Sequence, residues 1–429
     1  MIAWKLDRSK KVKNLFVAPG NAGTDEWNVD VDVKDFAKVK EFVLKENIEL
    51  VVVGPEDPLA AGIVDFFRSD KDLMDINIFG PTQEAAKLES SKLWAKRFMK
   101  RHKIPTADFL VFTDKNRDVA NKLKTMPLPH VVKADGLYAG KGVVICHTLE
   151  ESVKTVNAML KGDFGDAGKT VVVEKFLPGI ELSVFAIVDG EKYVLLPEAK
   201  DYKKVGDGDT GPNTGGMGAV SPVPFADEEF MQKVKKQIIE PTVNGLSEEG
   251  IEYWGIIYFG LMNVDGNPYV VEYNVRMGDP ETEVVLSRVL TDLVPFFIAA
   301  CLGELEPVPI SVDERFYVTI ILASIGYPGN YEKGKVIKGL DQGNGDSIKI
   351  IHCGTKKMPN GDVVTNGGRV LAIVACGETL EIAQRRCLDT AQRIYFSGMY
   401  YRRDIGNDVI KIMEKRRLLV LNSGSGSGV

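Results

Sequence analysis

Phe36, Val39, Phe42 and Val43 fall at helical spacing between two short apolar runs, residues 14–18 and 50–53. A helix with one apolar stripe needs a sheet to cover, and strands joined through such a helix pair in parallel. With a third run at 77–79, the first 88 residues read as an α/β domain built on a parallel sheet. Two of its strands end in the loops APGNAGT (18–24) and GPEDPLAAG (54–62), the strand ends at which parallel α/β sheets hold ligands. Ile2, Trp4 and Leu6 mark a short helix ahead of the first run, with nothing before it to supply a cap.

The remainder is built differently. A helix is expected over 90–101. A small α+β unit follows at about 107–177, with short strands, Gly-rich turns and a helix at 149–161. Next come a strand pair (181–188, 192–196), a helix at 227–244, a hairpin (254–264, 269–274) turning at Asp265-Gly266, and a long helix at 281–302. Strands at 316–325, 347–352 and 369–376 with a helix at 379–396 make a last small α/β domain. The expected domains are 1–88, 89–308 with a lid at about 107–177, 309–406, and a helical extension with a flexible tail at 407–429.

Several classes of function fall away. The net charge is −6 and the charges are interspersed, without the basic stripe a nucleic-acid partner needs. No apolar run reaches the roughly 20 residues of a membrane span, and no signal peptide is visible. Five scattered cysteines suit core thiols in a reducing, cytoplasmic setting, and the four histidines lack metal-ligand spacing.

Three glycine-rich loops raise the question of phosphate. GDFGDAGKT (162–170) ends like a P-loop, but the glycine that motif needs five residues before Gly168 is Asp163. GDGDTG (206–211) matches a dinucleotide pattern, yet Asp207 and Asp209 would repel a pyrophosphate and Pro212 leads into more loop. VVKADGLYAGKGVVI (131–145) fits better. A strand ending at Lys133 runs into Gly136, Gly140, Lys141 and Gly142, a hairpin whose backbone N–H groups can fold over a triphosphate.

VVEYNVRMGDPE (270–281) points to a metal. Residues two apart in a strand share a face, so Glu272, Asn274 and Arg276 point one way and Val271, Tyr273 and Val275 into the core. Two oxygen ligands and a guanidinium suit Mg2+ beside a phosphate.

The lysine–glycine hairpin, EKFL (174–177) and this strand, in that order, resemble ATP-grasp enzymes. The likeness sharpens through PGNAG, GPEDPLAAG, GPTQEAAKLESSK, IPTA, GDGDTGPNTGGMGAVSP, VVEYNVRMGDPETE and YYRRDIG. These resemble the motifs of the glycinamide ribonucleotide synthetases, or phosphoribosylamine–glycine ligases, over about residues 2–406. The resemblance implies a Rossmann-like (pre-ATP-grasp) domain, an ATP-grasp domain of two α+β subdomains and a small C-terminal α/β domain. It implies ATP-dependent ligation of glycine to 5-phosphoribosylamine through a glycyl phosphate, in purine biosynthesis, with Mg2+ or Mn2+. The alternatives are a nucleotide-binding protein without turnover, or another carboxylate–amine ligase.

Position by position, the resemblance puts Lys92, Lys133, Gly136, Gly140, Lys141 and Gly142 at the ATP phosphates. It puts Glu174, Lys175 and Leu177 at adenine and Glu181 at the ribose. Glu272 and Asn274 would hold the metal, and Arg276, with Lys133, would serve the transfer. Asn21, Gly54, Glu56 and Lys203 are carried over to phosphoribosylamine, and Asp209, Asn213, Gly215, Gly216 and Met217 to the glycine loop, Asp209 as partner of the ammonium group. The family's GSK is here Ser90-Ser91-Lys92. The family opens with a strand and a GSGGREHA-type loop ahead of the helix that Ile2-Ala3-Trp4-Lys5 matches. That strand and loop are expected to be absent, which bears on the amine substrate and leaves the ATP half whole. Small-molecule partners alone, and a monomer or weak homo-oligomer, are expected.

Overall fold

The computed structural model describes residues 1–115, 118–137, 142–163, 169–343, 345 and 347–424. Near the amino end, strands Leu50–Val52 and Asn77–Phe79 pair in parallel, Val51 opposite Ile78. The helix Phe36–Lys45 forms where the stripe predicts. Asp35 caps it, accepting from the Lys38 N–H, and Val39 and Val43 are its buried residues. The helix Ile2–Asp7 has no side-chain cap. It is anchored through Lys5, whose ammonium donates to the Val289 carbonyl, and through the Ser9 hydroxyl just past its end, 2.7 Å from Asp292 Oδ2.

The strand expected at 14–18 does not form. Val17 alone makes a parallel bridge, with Asn28. Its N–H donates to the Trp27 carbonyl (2.8 Å) and its carbonyl accepts from Val29 (2.9 Å). Pro19, lacking an N–H, closes the run, while Phe16 spends its apolar surface on the Phe42 ring, with centroids 5.4 Å apart.

Two larger sheets, beside two small two-stranded ones, carry the remainder among the described residues. The smaller has four antiparallel strands in the order Phe109–Thr113, Thr170–Lys175, His130–Ala134, Val143–Cys146. It closes over its own core of Phe112, Leu123, Val132, Val156 and Val173. The larger runs Asn267–Asn274, Gly255–Val264, Ile180–Val188, Tyr193–Asp201, Gly218–Ser221, Phe316–Ser324, Arg369–Gly377, Ile348–His352, with Met399–Tyr400 paired to Phe316–Ser324. The short strand Gly218–Ser221 joins the central strands to those of the last domain, so one sheet crosses that boundary. The hairpin turn at Asp265 and Gly266 has φ of 49° and 78°, as a two-residue turn of this hand demands.

Two helices depart from expectation. The run 281–302 is broken into Glu281–Arg288 and Val294–Leu302. Pro295 cannot sit inside a helix, so it starts the second one, with Asp292 Oδ1 accepting from the Val294 N–H at 3.1 Å. The helix expected from residue 90 begins instead at Lys92, because Ser91 is extended and caps it through Trp94 N–H. Phe297 of the second broken piece stacks on Phe79 at 4.3 Å, seating the parallel strand pair against the rest of the molecule.

Candidate active site

The end of the strand Asn267–Asn274 sets the geometry. Its pairing with Gly255–Val264 slips between Glu272, opposite Gly260, and Val270, opposite Leu261. This bulge re-aims one side chain. Val270, Tyr273 and Val275 enter the core, whereas Val271, expected there, is half-buried and lines a small pocket with Glu181, Asp201 and Lys203. Glu272 and Asn274 keep the exposed side of the strand, as the alternation predicts. Gly260 makes room for the carboxylate, since a Cβ there would lie 3.0 Å from Glu272 Cγ.

Cations converge on Glu272. Lys203 Nζ is 3.4 Å from its Oε1 and 3.4 Å from Glu181 Oε2. Lys203 above all, against burial and with help from Lys133 and Lys92, brings the Glu272 carboxyl down to about 2. Burial works against the Lys203 charge, but Glu181 and Glu272 hold its pKa well above the usual lysine value. Lys203 thus stands with the ribose and metal candidates, while Asn21 and Glu56, carried over with it for phosphoribosylamine, lie elsewhere.

Lys133 lies buried 2.8 Å from Glu174 Oε1 and donates to the Val271 carbonyl at 3.1 Å. The other Glu174 oxygen is 2.9 Å from Lys96. Burial opposes the Glu174 charge, yet the two lysines keep its pKa below the usual carboxylate range. Burial brings Lys96 down to about 8. The Glu174 side chain, carried over for adenine, is therefore taken up by two lysines, one of them a phosphate-binding candidate. Lys92 opens its helix and donates to the Gly136 carbonyl at 2.7 Å. Asp135 fixes that junction, accepting from the Ser91 hydroxyl and the Leu93 N–H, both at 3.1 Å. Gly142 continues the hairpin, its carbonyl accepting from the Ala134 N–H. Gly140 and Lys141 lie outside the described residues.

Arg276 joins the two halves of the site. Its Nε is 3.0 Å from Glu56 Oε2, its Nη2 is 2.9 Å from Glu89 Oε1, and its Nη1 donates to the Met277 carbonyl at 3.0 Å. Glu56 opens the short helix Glu56–Ala60 that follows strand Leu50–Val52. A cavity beside it is lined by Gly54, Gly80, Ile256 and Arg276. Asn21 sits farther off, donating to the carbonyls of His352 (2.8 Å) and Cys353 (3.1 Å).

The glycine-dense loop divides in two. Its first part is the hairpin Lys204–Gly206 with Thr210–Asn213, docked on YYRRDIG. Asp209 stands at the hairpin tip, and its carboxylate, carried over as the glycine partner, pairs with the buried Arg402 at 2.8 Å. Asp404 accepts from the Gly208 N–H and Asp207 from the Arg403 N–H. The second part follows Asn213 and packs against the Asp279-Pro280 turn. Gly216 has φ of 115°, and a Cβ on it would meet Pro280 Cδ at 2.2 Å, so only glycine fits. Met217 is fully buried. Arg369 clamps this part, Nη1 donating to the Gly215 and Asp279 carbonyls, each at 2.9 Å, and Nη2 lying 2.7 Å from Asp279 Oδ2.

Sequence reasoning missed Glu89, Lys96, Asp135, Asp201 and Arg369. The one local signal was at Glu89 and Lys96, charged residues at apolar-phase positions of GPTQEAAKLESSKLWAK.

The carboxylate of Glu272 and the carboxamide of Asn274 suit a hard divalent cation that takes its other ligands from water and phosphate. Among the described residues no group of three or more His, Cys, Asp or Glu could hold a metal unaided. This donor set fits a metal arriving with a nucleotide.

Comparison with known proteins gives the family. Residues 1–89, 90–282 and 317–408 match the N domain, the ATP-grasp (A) domain and the C domain of phosphoribosylglycinamide synthetase. The chain belongs to the phosphoribosylglycinamide synthetase family. It is 46% identical over 411 residues to the phosphoribosylamine–glycine ligase of Vibrio parahaemolyticus, covering 94% of each chain. With the Escherichia coli K12 ligase the identity is 45%, covering 94% of this chain and 95% of the relative. The crystal structure of the Thermotoga maritima ligase superposes with a TM-score of 0.80 at 37% identity, covering 94% of this chain and 96% of that one. The biotin carboxylase domain of a Hydrogenobacter thermophilus 2-oxoglutarate carboxylase, at 17% identity and TM-score 0.67, covering 90% of this chain and 85% of its own, shares the fold. The chain is an ATP-dependent ligase of the ATP-grasp kind, and enzymes of this family use ATP with a divalent metal ion.

Proposed function

We propose that the chain ligates glycine to 5-phosphoribosylamine, forming glycinamide ribonucleotide, ADP and phosphate. The convergence of Lys92, Lys133, Lys203 and Arg276 on the strand end that carries Glu272 and Asn274 supports this reading most. The three lysines supply the charge an ATP triphosphate needs, with Gly136 and Gly142 bringing backbone close to it. A glycine carboxylate oxygen attacks the γ-phosphorus and ADP departs. The amine of phosphoribosylamine then attacks the carbonyl carbon of the glycyl phosphate, and phosphate leaves. Such a transfer needs positioned charge rather than a protein nucleophile. Arg276 faces the transferred phosphoryl group, and the mixed anhydride must be kept from water. Glu272 and Asn274 would hold Mg2+, which offsets the phosphate charge when bound.

Glycine would lie by the loop around Asn213, Gly215 and Gly216, and phosphoribosylamine by Gly54 and Glu56, across Arg276 from ATP. The enzyme would act as a monomer or weak homo-oligomer in the cytoplasm, without a nucleic-acid partner. The assay is ADP release from Mg-ATP. Release that requires both glycine and the amine supports the reading. ATP binding without ADP release would identify a nucleotide-binding protein instead.

A further inference from the structure

Glu89 has no part in the carried-over motif roles, yet its carboxylate is among the most constrained groups of the site. It is the third residue of the short helix Lys87–Ser90, and its side chain is 7% exposed. Oε1 accepts from Arg276 Nη2 at 2.9 Å, and Oε2 accepts from the Val275 N–H at 2.8 Å. One carboxylate thus grips both the guanidinium and the backbone just after Glu272 and Asn274. Burying a carboxylate costs several kcal/mol unless it is fully paired, and an apolar residue of similar size would serve stability as well or better. A stability role alone gives no reason for an acid here.

The guanidinium carries five N–H groups. Glu56, Met277 and Glu89 take one each. Among the described residues this leaves one N–H on each terminal nitrogen, available to a phosphate. The rotation of the guanidinium about its stem decides where that remaining pair points, and Glu89 fixes that rotation against the strand that carries the metal candidates.

We propose that Glu89 is a positioning residue for phosphoryl transfer, acting through Arg276. The inference rests on the role given to Arg276 above. Glu89→Gln separates the two bonds of this carboxylate. The Gln carbonyl can still accept from the Val275 N–H, but its amide NH2 cannot accept from Arg276. In the full chain, with saturating glycine and phosphoribosylamine, Glu89→Gln is expected to fold with the wild-type circular dichroism spectrum and to keep an ATP KM within about threefold. Its kcat should fall on the order of tenfold to a hundredfold, the scale of a misplaced reacting group. Placed in an Arg276→Ala background, Glu89→Gln should cause no further loss. Glu89→Asp, which keeps the charge but withdraws it by one methylene, should also lose kcat, and it serves if the Gln variant does not fold. Wild-type kcat in Glu89→Gln, or losses that multiply in the double variant, would overturn the proposal while leaving the role of Arg276 standing. Wild-type turnover in Arg276→Ala would overturn both.

Discussion

Glu272 shows how single residues specify this site. Its carboxyl lies at about 2 because Lys203 stands beside it, so it is ionised at neutral pH. Glu272→Gln keeps the shape and removes the charge, and turnover is expected to fall by about 10²-fold or more with circular dichroism unchanged. Retained turnover would remove Glu272 from the site. Glu89 behaves oppositely, since burial pushes it to about 7. Arg276, Glu56, Glu272, Lys92 and Tyr253 are the titratable groups that face it. A carboxyl raised in the folded state favours folding most below its unfolded value of about 4.5, and that contribution fades as pH climbs through about 7. Over this window the wild type should lose on the order of 3 kcal/mol relative to Glu89→Gln. Melting temperatures of the two proteins from pH 5 to 8 test this, and a constant gap would contradict it. Glu272 was singled out in the sequence by alternation in one strand together with the order of the motifs around it. Glu89 was not, because its partner Arg276 is 187 residues away.

Among the elements, the hairpin Lys204–Gly206 with Thr210–Asn213 shows what spacing cannot reveal. The sequence shows Asp207 and Asp209 as two acids in a glycine-rich turn, but their partners on YYRRDIG are nearly two hundred residues on. Arg402 is buried and Asp209 mostly exposed, with side chains 1% and 61% accessible. Arg402→Ala should therefore cost about 3 kcal/mol, leaving the Asp404 carboxylate without its cation. Asp209→Asn should cost less than about 1 kcal/mol. Thermal melts separate them, and a raised glycine KM in Asp209→Asn would favour the ammonium contact over the purely structural pairing. Gly216→Ala meets both a left-handed φ and Pro280, and a destabilisation of about 2 kcal/mol or more is expected. An unchanged melting temperature would contradict that close approach. The hairpin at Asp265-Gly266 was readable to within a few residues. The break before Pro295 was marked by the proline itself, whereas the strand expected at 14–18 failed because sheet pairing depends on neighbours that composition does not name.

In the whole molecule, one apolar core runs from Val39 and Phe67 through Val184 and Phe259 to Val318 and Ile373. Specific joints cross it: Gly218–Ser221 carries the larger sheet into the last domain, Arg276 pairs with Glu56 and Glu89 of the amino-terminal unit, and Lys96–Glu174 ties in the smaller sheet. The smaller sheet keeps a core of its own. Every substrate proposed for the chain meets within this frame, so the product tests the account most directly. Mg-ATP, glycine and freshly generated 5-phosphoribosylamine should yield, by mass spectrometry, a species equal to glycine plus the amine less one water, with one ADP per product. ADP released without that species, or no ADP at all with every substrate present, would contradict it.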